Sequence, residues 1–259
     1  KSPEDKWERS GLFNQMVHPL IPYAIRGVVW YQGENNIGNA HRYESRFSLM
    51  IRDWRKRWGL GDFPFYYVQI APFRHGGAWD LANAELWDAQ RRVLALPNTG
   101  MAVTTDATVN LGDNHGSNKY MIGERLALWA LAKTYGRKDV VCSGPLYRGM
   151  KVEADRIRVS FDYAAGIKSR DGKPLDWFII AGKDRKFVPA EAAIETGVPA
   201  GSGDTVVVRS PQVKEPVAVR FGWGSAAQPN FVNQAGLPAS PFRTDNWPSV
   251  LESTNNVPR

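Results

Sequence analysis

Cysteine is nearly missing: Cys142 is the one example in 259 residues. An internal disulfide is therefore excluded, and so is a zinc site built on thiolates. No apolar run reaches the roughly 18 residues a spanning helix needs, so no membrane span is expected. Two catalytic signatures are also missing. There is no GxSxG turn to present a nucleophilic serine, and no HExxH pair to hold a metal. No internal repeat and no low-complexity stretch occurs. No leader peptide is visible, but the chain opens on Lys1 rather than Met, so this absence excludes nothing about targeting.

What is present describes a folded protein. Hydrophobic residues make up 43% and aromatics 12%, too much apolar surface for a disordered chain, and the length suits one or two domains. Lys and Arg number 33 against 26 Asp and Glu, a net +7. A nucleic-acid partner would require that charge to be clustered. The one dense run, residues 52–57 (RDWRKR), sits in a helical pattern with Trp54 and Trp58 on one face. It reads as the solvated side of an amphipathic helix, and no nucleic-acid partner is expected.

The chain divides into two regimes. Through residues 9–137, short apolar runs alternate with helical periodicity. Residues 25–31 (IRGVVWY) read as a buried strand ending in the polar turn Gln32-Gly33-Glu34. Tyr43, Phe47, Met50, Ile51, Trp54 and Trp58 recur at helical spacing until Gly59 and Gly61. A second strand is expected over 65–70 and a second helix over 81–94, closed by Pro97. A third strand over 101–105 ends at Asp106, and a third helix spans 118–135. Strands alternating with helices imply a parallel sheet with crossover helices. Three strands are few for such a sheet, which is expected to continue in sequence outside this chain. From 140 to 250 the pattern becomes short alternating strands: 150–161 with a turn at Ala154-Asp155, then 177–181, 187–188, 205–208 and 217–221. That is the signature of an antiparallel sandwich. The expected division is 1–138 and 139–259, with coil and a polar tail from 237.

Ligands of open parallel sheets bind beyond the carboxyl ends of the strands. The residues there are Gln32, Gly33, Glu34, Asn35 and Asn36 after the first strand. Gln69, Arg74 and His75 follow the second, and Asp106 with the loop 107–115 follows the third. Asp113-x-His115 before a helix is the sharpest signal. A carboxylate can fix an imidazole's tautomer and leave its other nitrogen as a general base. The same Asp113 or Asn114 could serve as a helix cap. Gln32-Gly33-Glu34 offers an amide donor and a close-approach backbone, as an oxyanion hole requires, or a strand-end turn that needs glycine. His18 before Pro19 reads as a turn anchor and His41 as part of a polar helix start. His75, before two glycines, reads as part of a mobile loop able to touch substrate. Glu34, Asp106, Asp113 and His115 could together hold a metal, but without paired-His spacing that reading ranks second.

These residues carry a family resemblance. Leu12-Phe13-Asn14-Gln15-Met16-Val17-His18-Pro19-Leu20, with Val29-Trp30-Tyr31-Gln32-Gly33-Glu34, resembles the segment of sialate O-acetylesterases that leads into their WYQGE block. Asp53-Trp54-Arg55, Gly61-Asp62-Phe63-Pro64-Phe65, Leu96-Pro97-Asn98-Thr99-Gly100, Asp113-Asn114-His115 with Asn118-Lys119, and Gly236-Leu237-Pro238-Ala239-Ser240-Pro241-Phe242 follow in family order, over about residues 9–248. The resemblance implies an SGNH-type hydrolase, α/β in class. Its fold would be a three-layer α/β/α parallel sheet, partial in this chain, followed by a small antiparallel β-sandwich. It implies hydrolysis of O-acetyl esters on sugars, sialic acid above all, without metal or cofactor. His115 would be the general base, Asp113 its partner, Gln32 an oxyanion donor, with Gly33 and Glu34 supporting that loop. The family's nucleophilic serine block has no counterpart here. An N-terminal polypeptide carrying that serine is therefore the expected partner, and the chain alone is expected to be inactive. Gln15 stands where the family has glycine, which touches the oxyanion hole if that position belongs to it, and Gly116 replaces proline after His115. A non-catalytic carbohydrate-binding remnant is the alternative. Extracellular or periplasmic placement fits an esterase acting on polymer side chains.

Overall fold

The computed structural model describes residues 10–113, 118–196 and 204–248, the Ala78 side chain excepted. β1 (Val28–Trp30), β2 (Phe65–Val68) and β3 (Thr99–Ala102) form a parallel sheet in that order. The crossovers carry α1 (Ala40–Trp58) and α2 (Ala82–Arg92). α3 (Lys119–Trp129) follows β3 and continues into a π-helical turn, Ala130–Thr134. Successive residues of a strand point to opposite faces. On β2, Phe65 and Tyr67 join the core with Phe47, Ile51, Leu86 and Trp87 of α1 and α2. Tyr66 and Val68 pack with Ile122, Leu126 and Trp129 of α3. The central strand is thus buried on both faces between two helical layers, as an α/β/α arrangement requires.

Local chemistry sets the element ends. α1 stops where Gly59 turns left-handed at φ 65° and returns its N–H to Arg55 O at 3.1 Å. α3 begins where the Asn118 side chain accepts from Met121 N at 3.0 Å. Gly100 lets α3 lie against β3, since a Cβ there would stand 2.5 Å from the Trp129 ring.

Three expectations from the sequence change here. β1 is not a buried strand: Val29 is 65% exposed, because β1 is a sheet edge and α3 lies over β2 and β3. The run at 52–57 is not wholly a solvated face. Arg55 is buried and donates to Phe63 O, Pro97 O and Asn98 O at 2.8–3.3 Å, joining α1 to the starts of β2 and β3. The third strand starts two residues early, since pairing of Thr99 with Phe65 sets its register.

Ten strands follow. They are β4 (Leu146–Glu153), β5 (Arg156–Asp162), β6 (Lys168–Ser169), β7 (Phe178–Ala181) and β8 (Phe187–Pro189), then β9 (Glu191–Glu195), β10 (Thr205–Arg209), β11 (Ala218–Phe221), β12 (Phe231–Val232) and β13 (Phe242–Arg243). Two four-stranded sheets, β4-β5-β10-β9 and β13-β11-β7-β8, face one another. Between them Ile157, Val159, Val206 and Val208 meet Phe178, Ile180, Val219, Phe221 and Phe242. This is the expected sandwich. β9 went unforeseen: its EAAIE sequence has little strand character, and it forms by pairing along β10, Ile194 opposite Val206. The expected coil from 237 contains β13 and is anchored to the parallel sheet. Ser240 accepts from Gln69 Nε2 at 3.1 Å, and Arg243 lies 3.3 Å from the buried Asp88 carboxylate.

Candidate active site

Three loops leave the carboxyl ends of β1, β2 and β3. The first holds Gln32, Gly33 and Glu34. A Cβ on Gly33 would lie 2.6 Å from Ile70 Cγ2 and 3.2 Å from Gln90 Nε2, so only glycine brings this backbone against the second loop. Gln90 is itself buried and binds both chain directions there, accepting from Ile70 N and donating to Val68 O. Tyr43 of α1 donates its hydroxyl to Gln32 O at 3.1 Å. The Gln32 side chain donates to Asn36 Oδ1 at 2.6 Å, which occupies one of its two amide hydrogens. Glu34 opens the short 3₁₀ helix Glu34–Asn39.

Two phenols border this loop. Burial and then the Glu34 charge push Tyr31 up to about 12. Burial pushes Tyr43 up to about 12 as well, with the Glu34 charge adding to it. A phenol near 10 in the unfolded chain and higher in the fold favours the folded state fully below pH 10. That contribution is lost as pH climbs from about 10 through 12. Tyr43→Phe is accordingly expected to lower stability by about 1 kcal/mol at pH 7, through the lost bond to Gln32 O, and to flatten the alkaline decline. Urea titrations at pH 7, 10 and 11.5 measure both effects. An unchanged alkaline slope would show that Tyr43 is not one of the groups responsible.

The second loop is tied down. Gln69 is buried and donates to Trp87 O at 3.2 Å and to Ser240 Oγ. His75 does not sit on a loose loop: its half-buried ring packs on Phe73 at 4.7 Å, and Nε2 lies 2.9 Å from Asn83 Oδ1. Arg74 N–H donates to Leu111 O at 2.7 Å, which joins the second loop to the third.

The third loop starts with an ion pair. Arg125 of α3 donates to both Asp106 oxygens, at 2.6 and 2.8 Å, and to Val103 O at 2.7 Å. Asp106, considered as a metal ligand, is therefore a structural partner of an arginine. Asn110 folds the next residues, its Oδ1 accepting from Gly112 N and its carbonyl from Asp113 N and the Thr108 hydroxyl. Gln228, from the antiparallel part, braces the loop by donating to Thr108 O at 2.7 Å. Asp113 ends this stretch exposed to solvent. His115 and Gly116 lie outside the described residues. Immediately beyond, Lys119 at the start of α3 places Nζ 3.4 Å from Tyr31 OH and 4.5 Å from the centre of its ring. Tyr31, which precedes Gln32, and Lys119, the first residue of α3, therefore meet at one end of the sheet. Among the described residues, no three His, Cys, Asp or Glu side chains are grouped to hold a metal.

Gln15 lies elsewhere. It is exposed in the π-helical turn Phe13–Val17. Arg57 stacks on Phe13 at 4.6 Å, and Trp58 Nε1 donates to Tyr23 O. This segment therefore rests on the far end of α1, roughly 25 Å of helix from the Gln32 loop at 1.5 Å per residue. Gln15, standing where the family has glycine, is thus placed away from the Gln32 loop.

The sequence pattern assigns no role at the site to Tyr43, Asn83, Gln90, Lys119 or Arg125. Asn83 and Gln90 carried a signal. They stand seven residues apart on the same helical stripe as Leu86 and Trp87, where apolar residues are expected, and both are fully buried. Their amides hold the loop backbone from beneath.

A family model described as carbohydrate esterase, sialic acid-specific acetylesterase, matches residues 3–132. Sialate O-acetylesterase of Mus musculus is 30% identical over 200 residues, covering 70% of this chain and 37% of that protein. The Homo sapiens protein of the same name is 28% identical over 265 residues, covering 91% and 49%. The crystal structure of a carbohydrate acetylesterase from Xanthomonas citri matches with TM-score 0.83 and 41% identity, over 91% of this chain and 54% of that one. The chain spans half or less of the curated relatives it matches, and about half of that crystallised chain.

Proposed function

The chain belongs to the sialic acid-specific acetylesterase family of carbohydrate esterases, and from that membership we propose that it supplies the acid–base and oxyanion portion of a sugar O-acetylesterase. O-Acetylated sialic acid is the proposed substrate; the products are acetate and the free sugar hydroxyl. The observation that supports this reading is the contact of Tyr31, beside Gln32, with Lys119, the first residue of the helix that follows the Asp113 loop, at the carboxyl end of a parallel sheet.

A serine on a polypeptide outside this chain attacks the acetyl carbonyl. His115 takes the serine proton, and Asp113 holds the imidazole in the required tautomer. The second amide hydrogen of Gln32 meets the developing oxyanion. His115 then protonates the departing sugar oxygen, and water, activated by the same base, releases acetate from the acyl-serine. No cofactor takes part. Two buried serines nearby are otherwise engaged: Ser225 donates to Trp79 O and accepts from Asn83 N, and Ser240 accepts from Gln69.

We place the serine-bearing partner at the open edge of β1. The outer edge of β1 pairs with no strand among the described residues, and its Val29 side chain is uncovered. An unpaired strand edge of this kind invites another strand. Extracellular or periplasmic action is proposed with it.

The test is reconstitution. The chain alone should release no acetate from O-acetylated sialic acid, and addition of the upstream polypeptide should restore release. His115→Ala in the assembly should return it to background. Undiminished release by His115→Ala would sink the assignment. Sugar binding by the assembly without any turnover would favour the binding remnant instead.

A further inference from the structure

A cavity of about 630 Å³ lies between the end of the helix that continues α3, the strand-free stretch 137–142 and the loop 233–235. That volume suits a bound small molecule. Its walls are largely apolar, with Ala132, Val140 and Val141 among them, and among the described residues its charged lining consists of Lys133, Arg137 and Lys138 with no carboxylate. Arg137 is paired with Asp139 at 2.7 and 2.9 Å, so the two lysines supply the uncompensated charge of the lining. Lysines at a helix C-terminus answer its dipole. That role does not require a cavity beside them.

Tyr163 marks the wall as built. Its backbone is left-handed at φ 57°, a conformation a bulky side chain adopts only when its surroundings impose it. Two contacts fix it: Asn233 Nδ2 donates to Tyr163 O at 3.2 Å, and the ring meets Trp129 edge-on at 5.8 Å. So held, the Tyr163 ring lines the cavity with Lys133 Nζ 5.6 Å from its centre. An aromatic face beside an ammonium group, with the exposed Gln234 amide at the rim, matches one ligand chemistry. The carbon face of a sugar ring packs on tyrosine, its carboxylate pairs with lysine, and its hydroxyls meet the amide.

We propose that this cavity is an ancillary binding site for a carboxylate-bearing sugar, separate from the site of ester hydrolysis. The choice of a sugar rests on the function proposed above; the choice of an anion rests on the lining alone. Lys133 stands fourteen residues beyond Lys119, so the two sites are about 20 Å apart along the helix. The sugar held here is therefore a second unit of an acidic glycan or a second molecule, not the one being deacetylated.

The experiment is calorimetric titration of the 259-residue chain with N-acetylneuraminic acid, which has no O-acetyl ester. Saturable binding is expected, weakening about tenfold in Lys133→Met and on raising salt from 50 to 500 mM. The methyl ester of the same sugar, lacking the charge, should bind about tenfold more weakly. Lys138→Gln serves as a second variant should Lys133→Met melt early. Asp113→Asn should bind like the parent chain. If binding is lost in Asp113→Asn or Gln32→Ala yet intact in both lysine variants, the sugar occupies the strand-end loops and the ancillary site is refuted. Binding of octanoate in place of the sugar overturns the sugar assignment, and absence of saturable binding overturns the site. Neither reading depends on acetate release, so failure of the esterase function leaves this outcome distinguishable.

Discussion

Acetate release by the reconstituted assembly is expected to fall about 10⁴-fold in Asp113→Asn, the scale seen when a triad carboxylate becomes an amide. The substitution is nearly isosteric. Asp113 is exposed, and its N–H bond to Asn110 O is made by the backbone, which the substitution leaves alone. The melting temperature should therefore stay within a degree or two, and the loss should appear in kcat with KM little changed. An amide cannot stabilise the imidazolium formed as the serine loses its proton, and it can hold the wrong tautomer. The activity that remains should rise with pH over a wider range, since hydroxide can then stand in for the base. Retention of activity within a few-fold would remove Asp113 from the mechanism; the capping role the sequence also allowed it belongs to Asn118, whose side chain accepts from Met121 N at the start of α3. Gln32→Ala in the same assembly should cost about 10²–10³ in kcat with the pH profile unmoved, as loss of one oxyanion donor does. The two variants separate proton transfer from oxyanion stabilisation.

Much of the framework was legible because it follows from periodicity. The stripe from Tyr43 to Trp58 gave α1, and Gly59 marked its end because only a left-handed residue closes it there. The alternation of Ile157, Val159 and Phe161 gave β5 and one wall of the sandwich. The candidate loops were legible because polar residues cluster after strands, where loop backbones are open to a ligand. What escaped was whatever depends on a partner distant in sequence. Arg55 looks like its solvated neighbours until the carbonyls of 63, 97 and 98 arrive beside it. β9 exists because β10 is there to pair with it. Val29 is apolar, as a buried strand residue should be, and its exposure reflects which strands α3 covers. His75 resembled a free loop histidine because Asn83, eight residues on, could not be seen to face it. The buried amides beneath the loops were the one omission that helical spacing could have corrected.

Asp106→Ala is expected to be the most destabilising change near the site, although Asp106 takes no part in the chemistry. It leaves the Arg125 guanidinium in place with two of its donors unanswered, at a position where both side chains are largely withdrawn from water. Breaking a buried pair from one side costs about 3–5 kcal/mol, mostly as the penalty of the orphaned charge. Arg170, 3.5 Å from Asp106, gives the orphaned site a second cation and worsens the repulsion. At roughly 2–4 °C per kcal/mol for a chain of this size, the midpoint of thermal unfolding should drop by about 10 °C. Removing both partners in Asp106→Ala/Arg125→Met should recover part of the loss, because no charge is then stranded and a methionine can fill the same channel. The double variant should nonetheless remain catalytically impaired. Arg125 joins α3 to Val103 O and to Asp106, the residues from which the chain departs toward Asp113, and a neutral side chain makes no such tie. Stability regained without activity would assign the pair to positioning the Asp113 loop. A double variant as unstable as the single one, or a single variant that loses under 1 kcal/mol, would show that the pair is not the clamp its geometry describes.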